Sequence, residues 1–139
     1  MRFCLCLFAL AALSFAAETP KSDTVRGKLL VTEGQPTAVQ TAEGRKVALD
    51  GDDSTKKVLA DPRLNGFEIQ AKGRFESPAR FVIDPIHTHS LLVNQSGRLK
   101  LVTYWCDVCT IRSYTPGPCV CCQKETTVDL IDPDHEAHK

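Results

Sequence analysis

Phe67-Glu68-Ile69-Gln70-Ala71-Lys72-Gly73-Arg74-Phe75 alternates apolar and polar side chains without a break. Successive side chains of a strand point to opposite faces, so a period of two predicts one face in a core and the other in water. The neighbouring segments read the same way. Val25 to Val31 predicts a strand with Val25, Leu29 and Val31 on one face, ended by the turn residues Glu33-Gly34-Gln35-Pro36. Residues 37–41 and 45–49 predict two short strands joined by Ala42-Glu43-Gly44, with Val39, Val47 and Leu49 inward. Between this meander and the alternating stretch, Gly51-Asp52-Asp53-Ser54 offers a helix cap. Thr55 to Ala60 then predicts a short helix that stops at Asp61, ahead of Pro62. Val58, Leu59 and Leu64 are its expected buried contacts.

Downstream, Ser77-Pro78 turns the chain, and Phe81 begins a strand expected to run, interrupted at Pro85, through Ile86 to Val93. Asn94-Gln95-Ser96-Gly97 makes another turn. Arg98 to Trp105 resumes alternation, with Leu99, Leu101 and Trp105 on one face, and Thr126 to Ile131 predicts a closing strand. Three strands, a short helix and two more strands resemble in order an OB-type five-stranded barrel, which implies a mainly β fold with the helix plugging one end. An open, sandwich-like sheet with one helix has the same local pattern. The resulting division is an OB-like β domain over 24–103, a cysteine-rich hairpin over 104–131 and a polar tail over 132–139.

The 139 residues fit one domain with a small appendage, and seventeen basic residues cancel seventeen acidic ones. No strong field draws the chain to nucleic acid or anionic lipid, so nucleic-acid binding is disfavoured. The N-terminus has one early charge at Arg2, an unbroken apolar run from Phe3 to Ala12, and small residues at Ser14, Ala16 and Ala17 before Glu18. That layout predicts a signal peptide over 1–17 and an exported, periplasmic or secreted protein. The apolar stretch of roughly fifteen residues is short of the ~20 that a membrane span requires, so no transmembrane anchor is expected after cleavage.

Cleavage would remove Cys4 and Cys6 and leave five cysteines, all between Cys106 and Cys122. Their spacing is C-x2-C, nine residues, C-x-C-C, and taking Cys106, Cys109, Cys119 and Cys122 gives two C-x2-C pairs. A C-x2-C turn delivers two thiolates to one ion without straining the backbone, and four thiolates suit Zn²⁺. Thr110 to Pro118, between the pairs, contains a Pro-Gly-Pro turn. The stretch resembles a zinc ribbon or rubredoxin-like knuckle pair, which implies a structural zinc site held by those four cysteines. It departs from the commonest form because no glycine follows Cys109 or Cys122, and Cys121 is left over as a substitute ligand or free thiol.

Two other readings stay open. An oxidising compartment favours two disulfides plus one odd cysteine. Thiol–disulfide exchange at Cys106-Asp107-Val108-Cys109 calls for a following helix to lower the thiol pKa, and none is visible. Covalent haem needs C-x-x-C-H, and Thr110 stands where the histidine belongs.

His87-Thr88-His89 places two imidazoles on one face of an extended strand, with Asp84 close by, which makes a second candidate metal site; two partly exposed polar residues are the plainer reading. His135 and His138 lie in the polar tail. Asn94-Gln95-Ser96 is a glycosylation sequon. No nucleophile-elbow, P-loop or H-E-x-x-H pattern occurs. The whole resembles small exported bacterial proteins. It reads as an exported binding or assembly module, not an enzyme, acting on an exported protein or ligand through a zinc-clipped hairpin. The alternative is a thiol redox or metal-handling protein that uses the cysteines directly.

Overall fold

The structure, a computed structural model, describes residues 21–136. The leader at 1–17 and His138 lie outside the described residues, as does the side chain of His135. Five strands close a barrel: β1 (Asp23–Leu30), β2 (Ala38–Gln40), β3 (Lys46–Asp50), β4 (Glu68–Ser77) and β5 (Arg80–Ile83). The hydrogen-bonded order is β1-β2-β3-β5-β4 and back to β1, with β3–β5 the parallel pair. β1 serves two partners. Its first half pairs with β4 from Asp23↔Gly73 to Lys28↔Glu68, and its second half pairs with β2 from Lys28↔Gln40 to Leu30↔Ala38.

Closure brings backbones together where a side chain would block them. A Cβ on Gly73 would stand 2.0 Å from the Val82 carbonyl oxygen, and one on Gly27 would stand 2.1 Å from that of Gln40. Gly27 also adopts φ 155°, which side chains disfavour. The alternating stretch of β4 therefore places Ile69, Ala71 and Gly73 inside, the last as a gap for the neighbouring strand. Phe75, one position further along that face, is 38% exposed and meets Phe81 edge-on at 4.9 Å.

Helix α1 (Asp53–Leu59) connects β3 to β4. The Asp52 carboxylate accepts from the backbone N–H of Thr55 at 2.8 Å and from its hydroxyl at 2.7 Å, capping the first turn. Val58 and Leu59 then enter the core with Leu64, as the sequence suggests. The predicted inward set Val25, Leu29, Val39, Val47 and Leu49 is buried too, each side chain contributing about 1.5–3 kcal/mol. Val31 is only partly buried, because β1 ends before it.

The expected single strand from Phe81 to Val93 is two strands. Pro85 interrupts β5, Ile86 takes a left-handed φ of 67°, and a helical turn, α2 (His87–Ser90), redirects the chain into β6 (Leu91–Gln95). This has a topological reason. β5 pairs with β4 from Gly73 to Ser77, and β6 takes the same strand from Ile69 to Ala71, so the helical turn hands the partner of β4 from one strand to the next.

A hairpin at Ser96-Gly97 leads into β7 (Arg98–Cys106), which β8 (Ile111–Ser113) and β9 (Thr127–Ile131) flank on opposite edges. Leu101, Val102, Thr103 and Tyr104 are all buried, so β7 is covered on both faces and is not one-sided as its alternation suggests. Val102 and Tyr104 join the barrel core, with Val128 and Leu130 of β9 packed against it.

Gly73→Ala should destabilise the fold by about 2–3 kcal/mol, since the added methyl collides with backbone that cannot move independently. Urea unfolding followed by far-UV circular dichroism reads the loss, and an unchanged midpoint would contradict this account of closure.

Candidate metal centre

β7 carries the chain from the barrel core to Cys106, whose side chain is 1% exposed. A tight turn over Asp107 to Thr110 places Cys109 beside it, and β8 leads away. The second pair returns on a turn closed by three contacts. Cys119 N–H donates to the Lys124 carbonyl at 2.8 Å, Gln123 N–H donates to the Cys119 carbonyl at 2.9 Å, and Pro118 bridges to Glu125. The sulfurs of Cys106, Cys109, Cys119 and Cys122 all lie within 4.8 Å of one another.

The two turns are built alike. The backbone N–H groups of Cys109 and Val108 act on the Cys106 thiol, and those of Cys122 and Cys121 on the Cys119 thiol, the Cys121 N–H donating to it at 3.4 Å. Each first cysteine thus receives the N–H groups two and three residues on, which offset negative charge on a thiolate. The residues just after each pair, Thr110 at φ 54° and Gln123 at φ 60°, are left-handed. Glycine is the usual occupant of such a position, so the knuckle geometry is present without the residue that marks it in sequence, at a cost of about 1–2 kcal/mol per side chain. A β-branched threonine there is a particular outlier.

The arrangement fits a tetrahedral ion. For metal–sulfur bonds near 2.3 Å, a tetrahedron has edges of about 3.8 Å, and the Cys106 and Cys122 sulfurs are 3.6 Å apart. A disulfide has sulfurs at about 2.05 Å, whereas the five cysteines among the described residues are free thiols. The cluster can therefore hold a metal ion. Its electrostatics agree. Cys119 is brought down to about 7, chiefly by the N–H groups of Cys122 and Cys121. The N–H of Cys109 favours the Cys106 thiolate, but burial and the sulfurs of Cys122 and Cys119 outweigh it and leave that thiol raised. Cys109 is raised chiefly by the Cys121 thiol, then by burial and by Cys122 and Cys119. One thiolate forms readily and the crowded sulfurs resist further charge unless a cation is supplied.

Cys121 is exposed and outside the four-sulfur set. The other candidate site is not assembled as expected. His87 and His89 sit on the helical turn α2, not on one face of a strand. His87 is buried, with Nε2 2.7 Å from the Tyr114 carbonyl oxygen, while His89 is exposed. The neighbouring Asp84 accepts from the Ser22 hydroxyl. His87 thus holds the loop before the second knuckle, a role that the H-x-H spacing gave no means of reading.

A junction that sequence reasoning missed ties the centre to the barrel. Asp61 caps the 3-10 turn at Pro62–Leu64 and receives a two-pronged pair from Arg63, Nε at 2.9 Å and Nη2 at 2.8 Å. Arg63 also donates from Nη1 to the Thr126 carbonyl at 2.6 Å, just ahead of β9, and lies 5.2 Å from the centroid of the Tyr104 ring. Burial pushes the Asp61 carboxyl up, but the Arg63 guanidinium and backbone N–H more than offset it and leave it lowered. On the outer face of β7, Arg112 spans from β8 to Asp129 at 2.7 Å and stacks 5.0 Å from the Trp105 ring.

No protein family, curated protein or solved structure matches the chain.

Asp61→Asn should cost about 2 kcal/mol at pH 7, below the 3–5 kcal/mol of a fully buried pair because Arg63 is partly solvated. A lowered carboxylate contributes stability above its unfolded value near 4 and loses it as pH falls through the folded value. The gap between variant and parent should therefore close below about pH 4 in denaturant titrations. A gap independent of pH would remove the charge from this explanation.

Proposed function

We propose that the protein is an exported binding or assembly module in which Zn²⁺, held by Cys106, Cys109, Cys119 and Cys122, clips a hairpin to an OB-type barrel. The observation that carries this is the convergence of four sulfurs on two identically built turns. Four thiolates select zinc or iron over harder ions. Zinc is the choice here, as a closed site that needs no electron-transfer partner. Strand order β1-β2-β3-β5-β4-β1 with the helix between β3 and β4 supports the OB reading. The leader pattern supports export to the periplasm or outside the cell.

The site's role is structural. Four thiolates saturate the ion and leave no position for water, so it has no Lewis-acid chemistry to offer. Most of residues 107–125 are exposed, Val108 and Val120 included, and the segment supplies little core of its own. Metal binding would provide the ordering free energy that burial does not. Cys106 is buried at the end of a strand with no helix after it, which disfavours it as the attacking thiol of an exchange enzyme. The partner on this reading is an exported protein or ligand and not nucleic acid, in keeping with the balanced charge.

The mature chain, purified under reducing conditions, should carry about one zinc by elemental analysis, and its sulfurs should react with a thiol reagent only after chelation, Cys121 excepted. Cys106→Ser should lose the metal and unfold residues 106–125 while the barrel keeps its far-UV spectrum. Two disulfides without metal would overturn the proposal, and about one iron in place of zinc would overturn the choice of ion.

A further inference from the structure

On the outer face of the barrel, unpaired charge lies beside a hollow. Register sets Arg26 opposite Gln70 and Lys28 opposite Glu68 between β1 and β4, and Lys28 opposite Gln40 between β1 and β2. Val25, Leu29, Val39 and Ile69 of these strands point into the core, so the alternate set shares the outer face. Two adjoining hollows of about 540 and 300 Å³ open over it, the size of small-ligand sites. The turn after β2, at Thr41 to Gly44, forms one wall, and Asn94 and Gly97 of the β6–β7 hairpin form the other. Arg26, Glu68 and Asn94 line both hollows and make them one trough.

The polar groups of the trough are set as donors. Arg26 Nε donates to Gln70 Oε1 at 2.7 Å, and the Gly97 N–H donates to Asn94 Oδ1 at 3.0 Å. With those oxygens engaged, both amides offer their NH2 groups, and Arg26 keeps its two Nη groups for a planar acceptor. Elsewhere the cations Lys56, Arg63, Arg80, Lys100 and Arg112 each pair with a carboxylate. Among the described residues Arg26 and Lys28 form no ion pair, although Glu68 stands opposite Lys28. Lys46, opposite Gln40 on β3, extends the cationic side, and Glu68 is the one carboxylate among the lining residues.

We propose that this trough binds an extended acidic peptide segment of a partner protein, with its acidic side chains at alternate positions. This partner deepens the binding-module reading above, on which it rests, and is independent of the metal. Arg26 and Lys28 lie two residues apart on one strand face, about 6.6–6.8 Å along the strand. Side chains at i and i+2 of an extended peptide repeat at the same distance. The donors of the trough call for carboxylates and carbonyls, and an acidic peptide has both. Glu68 calls for a donor, which a peptide N–H supplies. A phosphodiester backbone has no such N–H and sets its regular charges against Glu68. No aromatic side chain lines the trough to stack with bases.

The test uses the mature chain as purified and a dye-labelled decapeptide alternating glutamate and threonine, followed by fluorescence anisotropy. The parent should bind this peptide, less tightly as salt is raised, and should bind a lysine–threonine decapeptide at least about tenfold more weakly. Arg26→Gln should weaken binding of the acidic peptide about tenfold and Lys28→Gln about fivefold. Both side chains are exposed, so the variants should keep the parent's urea midpoint. Lys57→Gln, which removes an exposed cation on α1, should leave binding within about twofold. No binding by the parent, equal binding of the two peptides, or parent-like binding by both trough variants overturns this inference. Tighter binding of a deoxythymidine oligomer than of the acidic peptide overturns it as well. The zinc content of the same samples tests the metal clip separately: a chain without zinc that binds the acidic peptide overturns the clip and leaves this inference standing.

Discussion

Four sulfurs brought within 4.8 Å of one another cannot all carry negative charge unless a cation sits among them. The backbone supplies part of the compensation, two N–H groups to Cys106 and two to Cys119, and this suffices to lower Cys119 while Cys106 and Cys109 remain raised. A divalent ion, which the cluster could hold, would complete the balance. The left-handed Thr110 and Gln123 depend on that balance, since the turns that hold them have little apolar contact to enforce them. On the metal reading the hairpin's order would be electrostatic and coordinative, whereas the barrel's comes from burial of apolar surface.

The two parts are joined through one strand. β7 places Tyr104 fully inside the barrel core and Cys106 two residues later in the sulfur cluster, so a side chain that fills the core fixes where the first ligand stands. Arg63 reinforces the joint from the other side, held by Asp61, lying over the Tyr104 ring and donating to the carbonyl of Thr126. His87 does the same for the loop before the second pair by meeting the Tyr114 carbonyl. Apart from the local Asp61–Arg63 pair, these contacts link residues far apart in sequence. The barrel therefore presents a prearranged base to the hairpin, which would lower the ordering that metal binding has to supply.

The barrel was legible because burial there follows period two. Val25, Leu29, Val39, Val47 and Ile69 alternate with solvated neighbours, and the Asp52 cap announces the only long helical segment among the described residues. The handover from β5 to β6 was not legible. Pro85 marks an interruption within residues 81–93, but that the chain turns through His87–Ser90 and passes β4 to a new strand follows from the pairing along β4. β7 also defeats alternation, because a strand covered on both faces carries a run of buried residues. In the sulfur cluster, spacing named the four residues that the fold brings together, whereas the missing glycines misled: Thr110 and Gln123 take up the same backbone conformation regardless. Asp61 and Arg63 carry no motif, and their role comes entirely from tertiary placement.

The coordination shell is the most direct test of the central claim. X-ray absorption at the zinc edge of the purified, metal-loaded chain should show a single shell of four sulfurs at about 2.3 Å. A shell containing nitrogen or oxygen at about 2.0–2.1 Å, or fewer than four sulfurs, would contradict a closed four-thiolate clip.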